Sequence, residues 1–186
     1  MEFTLSYRGP LKANGDTREK HRIRREIHKQ LSELWKHPPL GHLADMLLVD
    51  QPAPVTVSLI QTIEKFKFAP LVSSRLGLFA ELAITLLRPH PPGALIAEGG
   101  DIDNRLKTLL DALRMPKNGS ELPNGEVPQK NETPFFCLLE DDGLISSLSV
   151  STDRLLEPGL SSSEVLLLLH VRTKVYSRTY ANISLG

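Results

Sequence analysis

Apolar residues recur along this chain at two periods, and the switches between them divide it into elements. From residue 2 to 8, Phe3, Leu5 and Tyr7 alternate with Thr4, Ser6 and Arg8, the pattern of a strand with one buried face, ended by Gly9-Pro10. The turn-rich Ala13-Asn14-Gly15-Asp16 leads into a helix from about Thr17 to Trp35, on which Ile23, Ile27, Leu31 and Leu34 share one stripe. His37-Pro38-Pro39 stops that helix. Residues 43 to 70 carry a weaker signal. Ala44 to Val49 suits a short helix or a strand, Pro52 to Pro54 is a break, and Val55 to Phe68 suits a strand pair or a helix. Leu78 to Arg88 alternates strictly, and both of its faces are largely apolar, which predicts a central strand covered on both sides. After Gly99-Gly100, the spacing of Leu106, Leu109, Leu110 and Leu113 predicts an amphipathic helix, with Asn104, Lys107, Asp111 and Arg114 on its opposite side. Residues 115 to 134, rich in Pro, Asn, Gly and charge, read as a mobile excursion. A strand follows in which Leu144, Leu148 and Val150 face inward, and Val165 to Tyr176 is a long final strand with Val165, Leu167, Leu169, Val171 and Val175 on one face.

Composition narrows the picture. At 186 residues the chain suits one domain with insertions, at about 38–74 and 114–134. Lys and Arg together number 22, as do Asp and Glu, so a nucleic-acid partner needs a local basic patch. The helix from Thr17 supplies one: Arg18, Arg22, Arg25, Lys29 and Lys36 fall within a narrow arc. That arc reads equally as a solvated face partly neutralised by Glu19, Glu26 and Glu33. Cys137 stands alone, which excludes an internal disulfide and a zinc site of several thiolates; its apolar neighbours predict a packed, inert thiol. No apolar run reaches membrane-spanning length and no signal-peptide pattern opens the chain, so a cytoplasmic protein is expected.

The candidate chemistry lies in two acidic groups. Asp101-Ile102-Asp103 opens the second helix, Lys107 follows one turn in, and Asp141-Asp142 precedes a strand. Capping by Asp101 or Asp103 explains an isolated Asp-x-Asp. A lysine nearby and a second acidic pair point further, to a hard divalent cation such as magnesium held by Asp101, Asp103 and Asp142, because gathered carboxylates without a cation repel one another. Such an ion would orient a phosphodiester and activate water while Lys107 stabilises developing charge. The scheme requires the strand beginning at Leu144 to start beside the helix mouth.

The run Asp101-Ile102-Asp103-Asn104-Arg105-Leu106-Lys107, then Asp111-Ala112-Leu113, then Asp141-Asp142 before a strand, resembles the signature of the RusA family of Holliday junction resolvases. The resemblance covers roughly residues 1 to 35 and 76 to 178. It implies an α+β fold, a small mixed β-sheet with helices packed on it in a single domain. It implies Mg2+ or Mn2+ bound by Asp101, Asp103 and Asp142, Lys107 as the catalytic lysine, and Asp141 as the neighbouring acid. It implies a homodimer that cuts branched DNA such as a four-way junction; DNA contacts are then expected from Arg18, Arg22, Arg25, Lys29 and Arg105, with Arg114 and Lys117 in support. A neutral net charge and long insertions support the alternative of a RusA-like DNA- or partner-binding module with little turnover.

Overall fold

Helix α1, Thr17–Leu34, begins where Asp16 accepts a hydrogen bond from the Glu19 amide at 2.8 Å, so the turn-forming Asp is also the cap. The computed structural model describes residues 1–50, 57–89, 101–159, 161 and 163–185, with the Asp101 side chain also outside the described set. The break at Pro52 to Pro54, the loop from His90 to Gly93, the run Ala94 to Ala97 and the Gly99-Gly100 turn lie outside these residues.

Strands β1 (Glu2–Pro10), β4 (Leu78–Arg88), β6 (Ile145–Arg154) and β7 (Glu164–Val175) form a four-stranded sheet in the order β1-β7-β4-β6. β7 is antiparallel to both β1 and β4, whereas β4 and β6 are parallel. A second sheet joins β2 (Gln61–Ile63), β3 (Phe66–Val72) and β5 (Phe135–Leu139), with β3 and β5 parallel. Between β1 and β2, α2 spans Leu40–Leu47, and α3 spans Asp101–Leu113. The class is α+β in a single domain, as expected, but with two mixed sheets in place of one. The stretches read as insertions are structurally joined: residues 38–74 contribute α2, β2 and β3, and residues 114–134 deliver the chain to β5, which pairs with β3.

α1 is the shared wall of both layers. Ile23, Ile27 and Leu31 are fully buried with Leu5 and Tyr7 of β1, as their spacing predicts. A second stripe, His21, Arg24, His28 and Trp35, is buried as well. His21 lies against Phe66 and Phe135, and Trp35 stacks on Phe136, so the aromatic residues of β3 and β5 cover this side of the helix.

Two expectations for the first sheet change. Only one face of β4 is covered: Leu78, Ala80, Leu82, Ile84 and Leu86 are buried, whereas Ala83 is exposed and Phe79, Glu81, Thr85 and Leu87 are half-buried. The helices lie on one side of this sheet, and the apolar character of the other reflects β4's place between neighbours. Leu148 pairs with Leu82 and so points to the covered side, yet it stays 39% exposed because β6 is the sheet edge. Among the described residues no helix is long and apolar enough to cross a membrane.

Arg24 fixes α1 to α3. Its fully buried guanidinium donates from Nε to the Arg114 carbonyl at 3.1 Å and from Nη2 to the Asp111 carbonyl at 2.9 Å, capping the C-terminal end of α3 with positive charge. Substituting Arg24→Met should therefore strand these carbonyls and lower stability by about 2–4 kcal/mol. Arg24→Lys should not restore it, because one ammonium cannot span both acceptors. Denaturant unfolding of both variants checks this; an Arg24→Met protein as stable as the wild type refutes it.

Candidate functional site

α3 divides its polar residues by depth. Leu109, Ala112 and Leu113 are buried, while Ile102, Leu106 and Leu110 pack partly against the core. Asp103 sits inside the first turn rather than at the cap, where its charge still complements the helix dipole. Asp103 and Lys107, one turn apart, are exposed, and among the described residues neither forms an ion pair. Further along, Asp111 takes Lys20 at 2.8 Å and Arg114 at 3.0 Å, and Arg114 also takes Glu121 at 2.8 Å. Burial pushes the Asp111 carboxyl up, but Lys20 and Arg114 outweigh it and hold the group below the usual carboxylate range. Arg114, expected on the open face as a DNA contact, has a side chain only 7% exposed and is committed to this network. Arg105, also expected on DNA, donates to the Leu11 carbonyl and ties the start of α3 to the end of β1.

The second acidic group is well formed but elsewhere. Glu140 accepts from Ser73 Oγ, the Ser74 amide and Oγ, and Gln61 Nε2, all within 2.9 Å, which fixes it as a structural anchor between the sheets. Asp141 caps a 3-10 turn over Asp142–Leu144 by accepting from the Gly143 amide, and Lys117 approaches it to 3.2 Å. The amide and Lys117 hold its carboxyl below the ordinary value. Asp142 is exposed and carries no ion pair among the described residues.

These two groups lie at opposite ends of α3. Arg105 reaches Leu11, beside the end of the sheet where β4 finishes, whereas β6 starts at Ile145 opposite Ala80, near the beginning of β4. At the other end of the helix Arg114 bridges Leu139, two residues before Asp141. Eleven residues separate Asp103 from Arg114, about 16 Å along a helix axis. The strand after Asp142 thus begins beside the end of α3, not beside its mouth as the sequence scheme requires. Among the described residues there is no group of three or more His, Cys, Asp or Glu that could hold a metal ion.

The basic face of α1 borders a cleft of about 930 Å³ whose opposite wall is the segment from Pro123 to Glu132. That segment, expected to be a mobile excursion, is pinned to the helix. Arg25 holds Glu132 at 2.7 Å and Glu126 at 2.9 Å, and His28 Nε2 lies 3.0 Å from the Asn131 carbonyl. The reading of this face as partly neutralised by its own carboxylates holds for two of its cations. Lys29 pairs with Glu26 and Lys36 with Glu33, on the exposed face, while Arg22 donates to the Pro10 carbonyl and lies over the Tyr7 ring. Arg18 and Lys130 are exposed and have no ion pair among the described residues.

The sequence reading passed over the polar members of the second stripe, although His21, Arg24, His28 and Trp35 recur at the helical repeat that marks any buried face. Their tautomers follow from their partners. The Phe136 amide donates to His28 Nδ1 at 2.9 Å, so its Nε2 carries the proton that is given to Asn131. Arg24 Nη1 faces His21 Nδ1 at 3.5 Å, which likewise leaves the proton on Nε2, and that buried atom has no hydrogen-bond partner among the described residues. Burial, with Arg24 and Arg25 nearby, pushes His21 down to about 4. Burial also lowers His28.

A ring whose pKa is lowered by folding binds fewer protons in the folded state than in the unfolded one. The stability contributed by neutral His21 is complete above about pH 6.5 and is lost as pH falls through about 4. The melting temperature should drop between pH 7 and 4.5, and His21→Phe, which keeps a ring against Phe66 and Phe135, should flatten that drop; calorimetry across the range checks it, and an unchanged slope in the variant refutes it. Comparison of the chain with models of protein families, and with curated proteins, finds no match to either.

Proposed function

We propose that this chain is a metal-dependent endodeoxyribonuclease of the RusA type that hydrolyses phosphodiester bonds in branched DNA as a homodimer. The observation that carries the reading is the contrast along α3. Asp111 and Arg114 are consumed by internal ion pairs, whereas Asp103 and Lys107 are exposed one turn apart with no ion pair among the described residues. An exposed carboxylate and ammonium left apart from protein partners suit roles toward a ligand. In this reading Asp101 and Asp103 hold Mg2+ or Mn2+, hard ions that take oxygen donors. The bound ion supplies a more acidic water and polarises the phosphate. Lys107 offers its ammonium to charge developing on the phosphate or the leaving oxygen.

Asp142 can join this set only from another copy of the chain, since its own copy keeps it near the far end of α3. The expected result is magnesium- or manganese-dependent cutting of a four-way junction at low salt. Asp103→Asn and Asp142→Asn should each lower the rate by roughly 100-fold or more with an unchanged melting temperature. Mixing the two variants should restore part of the activity, because one site of the mixed dimer then has both acids. Loss without restoration refutes a site shared between copies; no cutting of four-way, three-way or flap substrates with either metal refutes the enzymatic reading.

A second reading is supported by the separation of the acidic groups: a RusA-like DNA-binding module with little turnover. It predicts junction binding without cleavage and no rise in melting temperature on adding magnesium, whereas a preformed carboxylate site gains stability from its ion.

A further inference from the structure

The cleft between α1 and the Pro123–Glu132 segment combines three features. Arg18 and Lys130 are exposed on its two walls without an ion pair among the described residues. Arg25 is held by two carboxylates contributed by the opposite wall, one of them, Glu126, with a side chain 30% exposed. His21, only 2% exposed, borders the cleft with a buried Nε2 donor that has no partner among the described residues. A buried donor left unsatisfied is destabilising, and native structures keep few such groups. A lysine, an arginine and an unfilled donor around one concavity together describe a receptor for an oxyanion.

We infer that this cleft takes the phosphodiester backbone of a single nucleic-acid strand, with Arg18 and Lys130 on successive phosphates and a phosphate oxygen replacing Glu126 at Arg25, which opens His21 Nε2 to an acceptor on the strand. The volume of about 930 Å³ suits a few nucleotides of one strand. The neighbouring carboxylates set the selectivity. Glu132 remains on Arg25 through both Nε and Nη2, at 2.7 and 3.1 Å, so the wall stays anchored while Glu126 exchanges. The exposed Lys29–Glu26 pair is of the weak kind that a competing phosphate separates at little cost. This site rests on the nucleic-acid reading above and deepens it, since a flap or fork presents an unpaired strand, but it requires no metal and no cutting.

The test is binding of a fluorescent oligothymidylate of twelve nucleotides by anisotropy, in EDTA and at low salt, so that failure of cleavage and failure of this cleft register separately. Wild-type protein should bind the single strand more tightly than a duplex of equal length. Arg18→Ala and Lys130→Ala should each weaken binding several-fold and lower the salt dependence by about 0.7 in log–log slope per lost contact. Glu126→Gln should tighten binding, because it removes the resident competitor at Arg25, and His21→Phe should weaken it at unchanged salt slope. Absence of single-strand binding overturns the inference, as does a Glu126→Gln variant that binds no better than wild type. Displacement by inorganic phosphate at an equal concentration of phosphate groups would also overturn it, in favour of a small-anion site.

Discussion

A buried guanidinium with no carboxylate partner among the described residues organises this molecule. Arg24 is desolvated by α1, α3 and β5, which lowers its affinity for the proton, and its charge is met by two carbonyls at the end of α3 and by a histidine nitrogen. Those carbonyls are the negative end of the α3 dipole, so the contact is favourable only while α3 is helical and correctly placed. The same residues that receive it, Asp111 and Arg114, carry the outer ion-pair network with Lys20 and Glu121. The position of α3 is thus fixed at its far end by Arg24, and at its start by Arg105 on the Leu11 carbonyl.

That arrangement explains what could be read in the residues and what could not. Apolar periodicity identified α1, α3, β1, β4 and β7, because each buries a regular stripe against a single layer. It left Val55 to Phe68 open between a strand pair and a helix; Gln61–Ile63 and Phe66–Val72 form the strand pair, and the strand that completes their sheet, Phe135–Leu139, lies beyond β4 and α3, so nothing local decides between the two. Arg114 illustrates a different limit. Its helical position places it on the polar side, but the chain that folds back over that side brings Glu121, and a polar side chain becomes an interior one. Of the candidate acids, Asp103 stands exposed at the mouth as expected, while Asp141 and Asp142 begin their strand at the opposite end of the helix. Short motifs carry residue type and spacing, and the distance between two motifs is decided by everything folded between them.

The basic helix shows how charge counted along a sequence differs from charge available in space. Its cations divide among exposed pairs with glutamates of the same helix, contacts to α3 made by Lys20 and Arg24, an anchored hydrogen bond to the end of β1, and a double ion pair with the opposite wall. Arg18 alone of them is exposed without an ion pair among the described residues. A chain of zero formal charge can in this way keep a concavity lined by more cations than acids, because the two signs are unevenly distributed over its surface.

The strand order β1-β7-β4-β6 has a consequence for how the chain reaches this state. β7, the latest strand in chain order, is inserted between β1 and β4 and supplies hydrogen bonds to both. Until it is made, β1 and β4 have no common partner, and two apolar strands wait with open edges. Completion of the first sheet is thus a late event during synthesis, although β4 and β6 can pair before it, while α1, β3 and β5 can assemble the second layer earlier. A ribosome that pauses before residue 164 would hold an exposed pair of edges, and the nascent chain is most vulnerable to aggregation at that point.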